Sequence, residues 1–528
     1  MAERQRKRTQ RRQRLQSPQR PRTAPDLPGR IARLSHRNRR RRAGACADLA
    51  GDQPQRWRSG RAQAPRRSLP CGAALIAQEV AITTEVAQFV CGTELADLPP
   101  ELRSVARRHI LDSVGVMLAG RREPPAQIAR KHAGFMSSER LSTPLFAFVL
   151  GVQGHVQDYD DTQLATRPEG VYGLLTHPSV PVLAAALAVA RAEESSGSQV
   201  MTAFIAATEA ECRISDAIDP RHYGDGFHSS GTVGTLGATL AIAKLLHLDE
   251  TATRTALGIG ASSAAGLREN FGTMTKSLHV GRAAQHGVEA AYLARAGWTA
   301  AQNVLEAQRG FFHAAGGGFD VSRIHERLGR PWFYRDPGVS IKPHPSGSLT
   351  HPAMWVLGRL VEEHDLHAEQ VARVIVGTNS HMPNALIHHR PRDPLAAKFS
   401  MEYAMATLLA RRRGGLAEYD DPQAVLDPKV QELIPRIVLE VDPAAERAGY
   451  DRMLSRITVE LRDGRRLFAE GDAGRGHPAN PMSDREVVAK FEDCARWGGL
   501  SDGGQRIRDA VEHLETLISL EKVWQDLR

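Results

Sequence analysis

Small side chains dominate a long series of helical segments, and this feature most constrains the fold. In ELRSVARRHILDSVGVMLAG, apolar residues recur with helical spacing at Ile110, Val114 and Leu118. Gly120 is placed to end this helix. Similar patterns follow in VPVLAAALAVARAEE, QVMTAFIAATEAECRISDAI, TVGTLGATLAIAKLLHL, ETATRTALGIGASSAAG and GRAAQHGVEAAYLARAGW. Because Ala and Gly let helix axes approach closely, these patterns predict a domain of tightly packed helices over residues 80–337.

Past Pro337 the pattern becomes mixed. RVIVGTN, RIVLEVD and SRITVELRDGRRLFAE are β-branched runs typical of strands, and Asp463-Gly464 predicts a hairpin turn within the last of them. HPAMWVLGRLVEEH and MEYAMATLLARRRGG are helical segments between these runs. We therefore expect an α+β domain over residues 338–478.

The C-terminal segment, residues 479–528, is helical again in MSDREVVAKFEDCARW and GQRIRDAVEHLETLISL. The simplest arrangement returns this segment to the first helical domain. The predicted fold class is therefore mainly α, with an all-helical domain built from the N- and C-terminal segments and an inserted α+β lid domain.

The charge is unevenly distributed along the chain. The formal net charge is +9, but residues 1–70 carry 21 Lys and Arg against 4 Asp and Glu. Residues 71–528 therefore hold 48 basic and 56 acidic side chains and are mildly acidic. Because the basic charge belongs to a tail and not to a folded face, we expect nucleic acid to be an unlikely partner.

Residues 1–79 show almost no apolar periodicity, and seven prolines lie between Pro18 and Pro70. Such a composition cannot bury a core. We expect either a disordered basic extension or an upstream stretch translated from a wrong start, for which Val80 is a candidate. A transit peptide and a nucleic-acid-binding tail are further alternatives.

The cysteine pattern and the hydropathy indicate the cellular compartment and whether the chain spans a membrane. The five cysteines are scattered without a CxxC pair, so neither a zinc framework nor a disulfide framework is predicted, and a reducing cytoplasm fits best. The longest apolar run, Val180 to Ala190, is too short to span a bilayer. We therefore expect no transmembrane helix.

The stretch QDYDDT places three carboxylates within four positions. If this stretch is helical, Asp158 shares a face with Asp161 and Thr162, whereas Asp160 points away, so only some of the carboxylates can converge. His177, in THPSV before a long apolar helix, suits the edge of a cleft as an acid or a base. A capping turn and a surface histidine are the alternative interpretation.

Two further segments place cationic or titratable side chains at helix starts. His228 in DGFHSSGTVGTLG precedes a helix whose N-terminus suits an anion. In ENFGTMTKSLHVGRAAQHG, a positive cluster suits a carboxylate or phosphate and consists of Lys276, His279, Arg282 and His286. An ordinary helix cap and a solvated basic face are the respective alternatives.

The junction of the two predicted domains carries a further candidate, because clefts commonly form there. SIKPHPSGSLTHP supplies Lys342, His344 and His351 at this junction. In AKFSMEYAMA, Ser400 and Tyr403 share one helical turn, where a Tyr usually packs in a core.

Several common sites are not predicted. His388 and His389 are adjacent and diverge on any regular element, and HExxH or Cys/His ligand spacings are absent, so we expect no metal site. A GxSxG elbow, a Walker A loop and a dinucleotide fingerprint are also absent, which argues against the usual hydrolases, kinases and dehydrogenases.

Taken in order, eight segments resemble the MmgE/PrpD family over roughly residues 83–525. They are DYDDT, HPSVPVLAAALA, FHSSGTVGTLGA, NFGTMTKSLHVGRAAQHGVEAAYLARAGWTA, RGFF, IKPHPSGSLTH, AKFSMEYAMA and HPANPMSDREVVAKF. The resemblance implies a helical domain with an α+β lid, a homodimer and an active site in the cleft between the domains. Members such as 2-methylcitrate dehydratase, cis-aconitate decarboxylase and iminodisuccinate epimerase act beside a carboxylate of a polycarboxylate without a required organic cofactor.

The resemblance also implies roles for individual residues. The implied catalytic residues are Asp158, His177, His228, Lys276 and Tyr403, and the implied substrate-binding residues are Thr162, Lys276 and Lys342. In the implied mechanism, the lysines bind carboxylates and stabilise an enediolate-like charge, and one of the two histidines moves the α-proton. Asp158 orients a histidine, and Tyr403 assists a leaving group.

One position departs from the family pattern. Gly347 in KPHPSGSLTH stands where the family commonly has a Cys and where a cis-aconitate decarboxylase would have a His. We therefore expect a cofactor-independent lyase or isomerase that resembles 2-methylcitrate dehydratase. An epimerase of an iminodisuccinate-like substrate and a catalytically idle carboxylate-binding paralogue are the alternatives.

Overall fold

A computed structural model describes residues 80–136, 141–163 and 176–521, together with 523 and 527. Helices account for most of these residues, and the strands are short and few. The predicted mainly α class is therefore confirmed. The predicted N-terminal extension, residues 1–79, lies outside the described residues.

The elements are numbered in chain order. The α-helices are α1 Ile82–Gly92, α2 Pro100–Gly120, α3 Pro124–Phe135, α4 Thr143–His155, α5 Ser179–Ala192, α6 Gly197–Ala217, α7 Arg221–Gly224, α8 Ser229–Leu245, α9 Glu250–Ser263, α10 Thr275–Arg295, α11 His351–Glu363, α12 Pro394–Ala397, α13 Met401–Arg411, α14 Leu416–Tyr419, α15 Pro422–Val425, α16 Pro428–Leu433, α17 Pro443–Arg447, α18 Asp484–Trp497 and α19 Gln505–Glu512. The strands are β1 Thr162–Gln163, β2 Val339–Ser340, β3 Val371–Thr378, β4 Ile437–Val441, β5 Ser455–Leu461 and β6 Arg466–Gly471. The helical segments predicted from periodicity are confirmed, including the end of α2 at Gly120.

Glycines allow a close crossing of α4 and α10. A Cβ added to Gly151 would lie 2.9 Å from the Cα of Gly281 and 2.9 Å from the carbonyl oxygen of Val280. A Cβ on Gly281 would lie 2.8 Å from the carbonyl oxygen of Phe148. The crossing therefore has no room for a side chain, and it fixes the last turn of α4 against the first turns of α10.

Three hydrophobic clusters form the interior of the described residues, and the smallest packs α3 against α4. The largest joins helices α1, α2 and α4 to α10 with the C-terminal helices, through residues such as Val487 and Phe491 of α18. The second lies within residues 349–461 and packs the longer strands against α11 and α13. On this basis we propose that residues 80–337 and 479–528 form one domain and that residues 338–478 form the lid.

The larger sheet has the order β4-β3-β5-β6. Strands β3 and β4 are parallel, whereas β5 pairs antiparallel with both β3 and β6. Gly464 has a φ of +89° in the β5–β6 connection, which confirms the predicted hairpin turn at this position.

The smaller sheet connects distant segments. Thr162 of β1 lies opposite Ser340 of β2 in an antiparallel pair. This pairing places the QDYDDT segment beside Lys342, two residues after β2. Among the described residues, none of the helices is long and apolar enough to cross a membrane.

A buried ion pair ties α18 to α2. The Lys490 ammonium lies 2.6 Å from the Asp112 carboxylate, and both side chains are at least 97% buried. Lys490 also donates a hydrogen bond of 2.8 Å to the Tyr159 carbonyl and lies over the Tyr159 ring. Burial raises the pKa of Asp112 to about 6, although Lys490 opposes this shift.

We expect Lys490→Met to lower the free energy of unfolding by about 3 kcal/mol at pH 7.5, because Asp112 would remain buried without a counter-charge. Urea or thermal unfolding measures the loss. Lys429→Met, at an exposed position, is the control and should change stability by less than about 0.5 kcal/mol. Equal free energies of unfolding for Lys490→Met and the control would show that the Lys490–Asp112 ion pair does not stabilise the fold.

Candidate active site

The QDYDDT segment follows the end of α4 and is not helical. Asp158 has a φ of +51°, a left-handed conformation that Asp tolerates better than most residues. This corrects the geometry expected for a helix. The turn spreads the three carboxylates toward different partners, and Asp158, Asp160 and Asp161 are all buried.

Asp158 lies between two lysine ammonium groups. Lys276 donates a hydrogen bond of 2.7 Å to Oδ1, and the Nζ of Lys342 lies 3.2 Å from Oδ2. All three side chains are at least 93% buried. The structure thus brings together three of the predicted site residues. Lys276 and Lys342 lie 118 and 184 positions after Asp158 along the chain.

The two lysines use their N–H donors differently. Lys342 donates hydrogen bonds to the carbonyl oxygens of Asp158 at 2.9 Å and Ser346 at 3.1 Å, and it forms an ion pair with Asp158 Oδ2 at 3.2 Å. Lys276 contacts Asp158 and the Nε2 of His155, at 2.6 Å. Among the described residues, Lys276 therefore has two hydrogen-bond acceptors for its three N–H donors.

Electrostatics keep Asp158 ionised. Burial opposes the charge, but the ammonium groups of Lys276 and Lys342 outweigh burial and hold the pKa of this carboxyl well below its usual value. Burial lowers the pKa of Lys342, and Asp158 opposes that shift. The centre is therefore a carboxylate between two cations in a dry environment.

Asp160 lies between two histidines. Its Oδ2 is 2.7 Å from the Nδ1 of His155, and its Oδ1 is 3.3 Å from the Nδ1 of His177. The Nε2 of His177 is 3.8 Å from Asp158. The role of orienting a histidine, predicted for Asp158, is therefore better supported for Asp160.

His155 is a neutral imidazole with a defined proton. Burial, together with the nearby Lys276 ammonium, lowers the pKa of His155 to about 3 although Asp160 opposes the shift. An ammonium only donates, so Nε2 accepts from Lys276 and the ring proton is on Nδ1, where it is donated to Asp160.

Asp161 belongs to a separate buried network. It lies 2.7 Å from the Nδ1 of His109, and the Ser179 hydroxyl donates a hydrogen bond to it. Tyr334 in turn lies 2.5 Å from the Ser179 hydroxyl. This network anchors the segment to α2 and to the start of α5, away from the two lysines.

His228 lies one layer behind the cavity wall. It precedes α8, stacks on His155 at a ring separation of 5.5 Å, and its Nδ1 is 3.0 Å from the Nδ1 of His279. Burial and the charge of Lys276 hold the pKa of His228 well below its usual value. Of the two predicted histidines, His177 reaches the cavity directly.

Two other predicted residues do not meet the lysines. Tyr403 is fully buried in the second core cluster, where its hydroxyl donates to the carbonyl of Glu418. This position does not support the implied catalytic role. The Thr162 hydroxyl lies 3.0 Å from that of Ser348, so Thr162 supports the cavity wall from behind.

The remaining members of the predicted positive cluster do not converge on Asp158. Arg282 donates to Gln285, and the Nδ1 of His286 lies 3.1 Å from the carbonyl oxygen of Ser263. In the junction loop, His344 contacts the carbonyl of Gly414. Lys276 alone carries the positive charge of that segment into the site.

The cavity beside these groups measures ≈ 30 Å³ and has two unlike sides. The charged side is formed by Asp158, His177, Lys276 and Lys342. The apolar side is formed by Tyr223, Phe271, Leu349, Ala385, Leu386 and Phe399, and Gly347 and Ser348 complete the wall. Because ligand pockets usually measure hundreds of Å³, the cavity as it stands holds about one water molecule, and a larger ligand would need the two sides to separate.

One group in the described part of the chain has the composition of a metal site. The potential ligand atoms of His155, Asp160 and His177 lie within 4.8 Å of one another. However, two ligands bonded to one zinc ion at about 2.0–2.1 Å stand more than about 3 Å apart, whereas His155 and Asp160 are at 2.7 Å. The observed geometry is that of a hydrogen-bonded network.

His155 and the orienting role of Asp160 were not predicted from the sequence. His155 stands three residues before Asp158, at the end of α4, where a histidine has no motif of its own. The available signal was its spacing to the carboxylate cluster. A histidine at the last helical turn beside a dense acidic segment is a candidate partner for one of the acids.

Two domain models of one protein family match this chain. The MmgE/PrpD N-terminal domain matches residues 84–324, and the MmgE/PrpD C-terminal domain matches residues 344–516. The chain belongs to the MmgE/PrpD family. The resemblance predicted from the sequence is thereby confirmed.

Three relatives of this MmgE/PrpD chain are named cis-aconitate decarboxylase. The protein from Homo sapiens is 30% identical over 461 residues, which are 83% of this chain and 92% of that protein. The protein from Mus musculus is 28% identical, with 83% and 91% covered. The protein from Aspergillus terreus is 24% identical, with 83% and 94% covered.

Buried neutral histidines should make this MmgE/PrpD chain sensitive to acid. Burial lowers the pKa of His155 to about 3 and the pKa values of His222 and His279 to about 4, from about 6.5 in the unfolded chain. Between these values the unfolded state binds more protons, so stability rises with pH. Each histidine contributes about 1.4 kcal/mol per pH unit in that window.

His222→Gln isolates one of these contributions. We expect the pH dependence of the unfolding free energy to become shallower by nearly one proton between pH 6 and pH 5. Chemical denaturation at several pH values measures this slope. An unchanged slope in the variant would show that His222 is protonated in the folded protein.

Proposed function

We propose that this chain is a cofactor-independent lyase that acts on a di- or tricarboxylate by proton transfer at a carbon next to a carboxylate. The observation that carries the proposal is Lys276, a buried cation at the cavity wall that makes two hydrogen bonds to described residues and has a third N–H donor. A fixed, buried donor of this kind stabilises negative charge that develops on a substrate. Lys342 adds positive charge from the same side.

His177 is the proposed acid–base residue. His177 lines the cavity, with its Nδ1 3.3 Å from Asp160 and its Nε2 3.8 Å from Asp158. A carboxylate beside one ring nitrogen can orient a catalytic imidazole. In this role His177 removes or returns the proton next to the carboxylate held by Lys276.

The relatives favour decarboxylation of a cis-aconitate-like acid as the specific reaction. The bond between carbon and one carboxylate breaks and releases CO2. The electron pair passes into the neighbouring unsaturated acid as an enediolate-like charge, and one proton then adds to carbon. Lys276 would stabilise the charge, and His177 would supply the proton.

Gly347 favours a second candidate, dehydration of a hydroxy polycarboxylate. At the cavity, Gly347 offers only its backbone, and an added Cβ would meet Leu386 at 3.3 Å. Dehydration would break a C–H bond next to a carboxylate and the C–O bond of the hydroxyl group, which takes up a proton and leaves as water, and no CO2 would be released. The same lysine and histidine would serve that reaction.

A substrate panel in deuterated water separates these candidates. We expect one or more of cis-aconitate, citrate, 2-methylcitrate and related diacids to incorporate deuterium at one carbon, as followed by NMR. Release of CO2 identifies decarboxylation, and loss of a hydroxyl group with formation of an alkene identifies dehydration. Exchange without either product indicates epimerisation. No exchange and no product in any compound would overturn the proposal.

We expect Lys276→Ala to lower kcat/KM by at least about 100-fold, because it removes the donor that stabilises the developing charge. Steady-state kinetics on the compound found in the panel measures the loss. Lys429→Ala is the control and should leave kcat/KM unchanged, since Lys429 is exposed on α16. Normal turnover by a folded Lys276→Ala protein would exclude Lys276 from the mechanism.

The homodimer and the cytoplasmic location implied earlier stay predictions. Sedimentation of the purified chain tests the first of them.

A further inference from the structure

We infer that His155 and Asp160 form a positioning pair that holds the Lys276 ammonium toward the cavity. The inference rests on the proposed function for its catalytic consequence. It concerns two residues outside the cavity wall, since the described residues that line the cavity include neither His155 nor Asp160. The pair would act through Lys276 and His177, both of which line the cavity.

The first observation is the shared ammonium. Lys276 Nζ lies 2.6 Å from His155 Nε2 and 2.7 Å from Asp158 Oδ1. Two acceptors, one at the end of α4 and one in the turn after it, leave a lysine head group little freedom, so its third N–H has a fixed direction. With Asp158 as the only acceptor, the ammonium could rotate about the flexible side chain.

The second observation is the proton on His155. Only the tautomer with hydrogen on Nδ1 accepts from Lys276, and Asp160 selects that tautomer by accepting the Nδ1 proton at 2.7 Å. With hydrogen on Nε2, two donors would face each other at 2.6 Å. The carboxylate of Asp160 therefore controls the position of Lys276 through the imidazole.

The third observation is that the imidazole cannot turn away. His155 is 99% buried, its ring packs edge-on against His177 at 4.7 Å, and it stacks on His228 at 5.5 Å. It is also the last residue of α4, which is locked to α10 at the crossing of Gly151 and Gly281. Lys276 is the second residue of α10. Both hydrogen-bonding groups thus stand on rigid elements.

The substrate-independent test is histidine-selective 15N NMR at pH 7.5. The signals of His155 are identified by their loss in His155→Phe. We expect wild-type His155 to be neutral with hydrogen on Nδ1, and Asp160→Asn to shift the proton to Nε2 or to mix the two forms. A charged His155, or hydrogen on Nε2 in the wild type, would overturn the inference whatever the substrate is.

The kinetic test uses the compound identified in the deuterium panel. His155→Phe keeps the ring and its stacking but loses both nitrogens, and we expect kcat/KM to fall about 100-fold, mainly through kcat. The kcat/KM of Asp160→Asn should be reduced nearly as much. His155→Gln keeps an amide that can accept from Lys276 and donate to Asp160, and we expect its kcat/KM to be at least tenfold higher than that of His155→Phe.

His222→Gln is the matched control. His222 is also fully buried and neutral, but it bonds to Thr232 and to the Ala315 carbonyl, away from Lys276. We expect its kcat/KM to stay within twofold of the wild type. Equal losses in His222→Gln and His155→Phe, or equal losses in His155→Phe and His155→Gln, would reduce His155 to a packing role.

The two proposals fail in different ways. If the wild type turns over no compound in the panel, the proposed function fails, and NMR still decides where the His155 proton lies. If turnover is found and folded His155→Phe retains it, the positioning pair fails and the proposed function stands.

Discussion

The interaction on which the structure depends is the burial of one carboxylate between two ammonium groups. Removing three charges from water carries a large desolvation cost, which is offset only when the partners meet with good geometry. At Asp158 that geometry requires a left-handed turn after α4, the start of α10 and the pairing of β1 with β2. These distant features of the chain therefore act together.

Around this centre, each remaining charge has its own partner. Asp160 faces two histidines, Asp161 faces His109 and Ser179, and farther away Lys490 meets Asp112. A crowded acidic segment is therefore tolerated because its members do not share one environment. Of the three carboxylates, Asp158 lines the cavity, whereas Asp160 and Asp161 contact residues around it.

Much of the fold could be predicted, because helices and hairpins depend on local patterns. The end of α2 at Gly120 and the turn at Gly464 follow from residue type and spacing. Lys276, Lys342, Asp158 and His177 were also found, through their ordered motifs. The conformation of Asp158 was not, since a positive φ at a non-glycine residue is imposed by tertiary contacts.

The differences between the predicted site and the observed geometry have one physical source. Motifs identify residue types but not which hydrogen bonds those residues already make. Tyr403 was assigned chemistry, yet its hydroxyl is used by the Glu418 carbonyl inside a core. His155 was passed over, although its two nitrogens connect Lys276 to Asp160 across 121 and 5 positions of the chain.

The two unlike sides of the cavity come from different stretches of sequence. Apart from Tyr223 and Phe271, the uncharged wall is built by residues 347–399, whereas the ionic centre needs no residue beyond Lys342. Substitutions in the wall at residues 347–399 would therefore change the shape of the cavity and leave the charged groups in place. Such a division would let one scaffold acquire a different ligand preference through a few substitutions of uncharged residues.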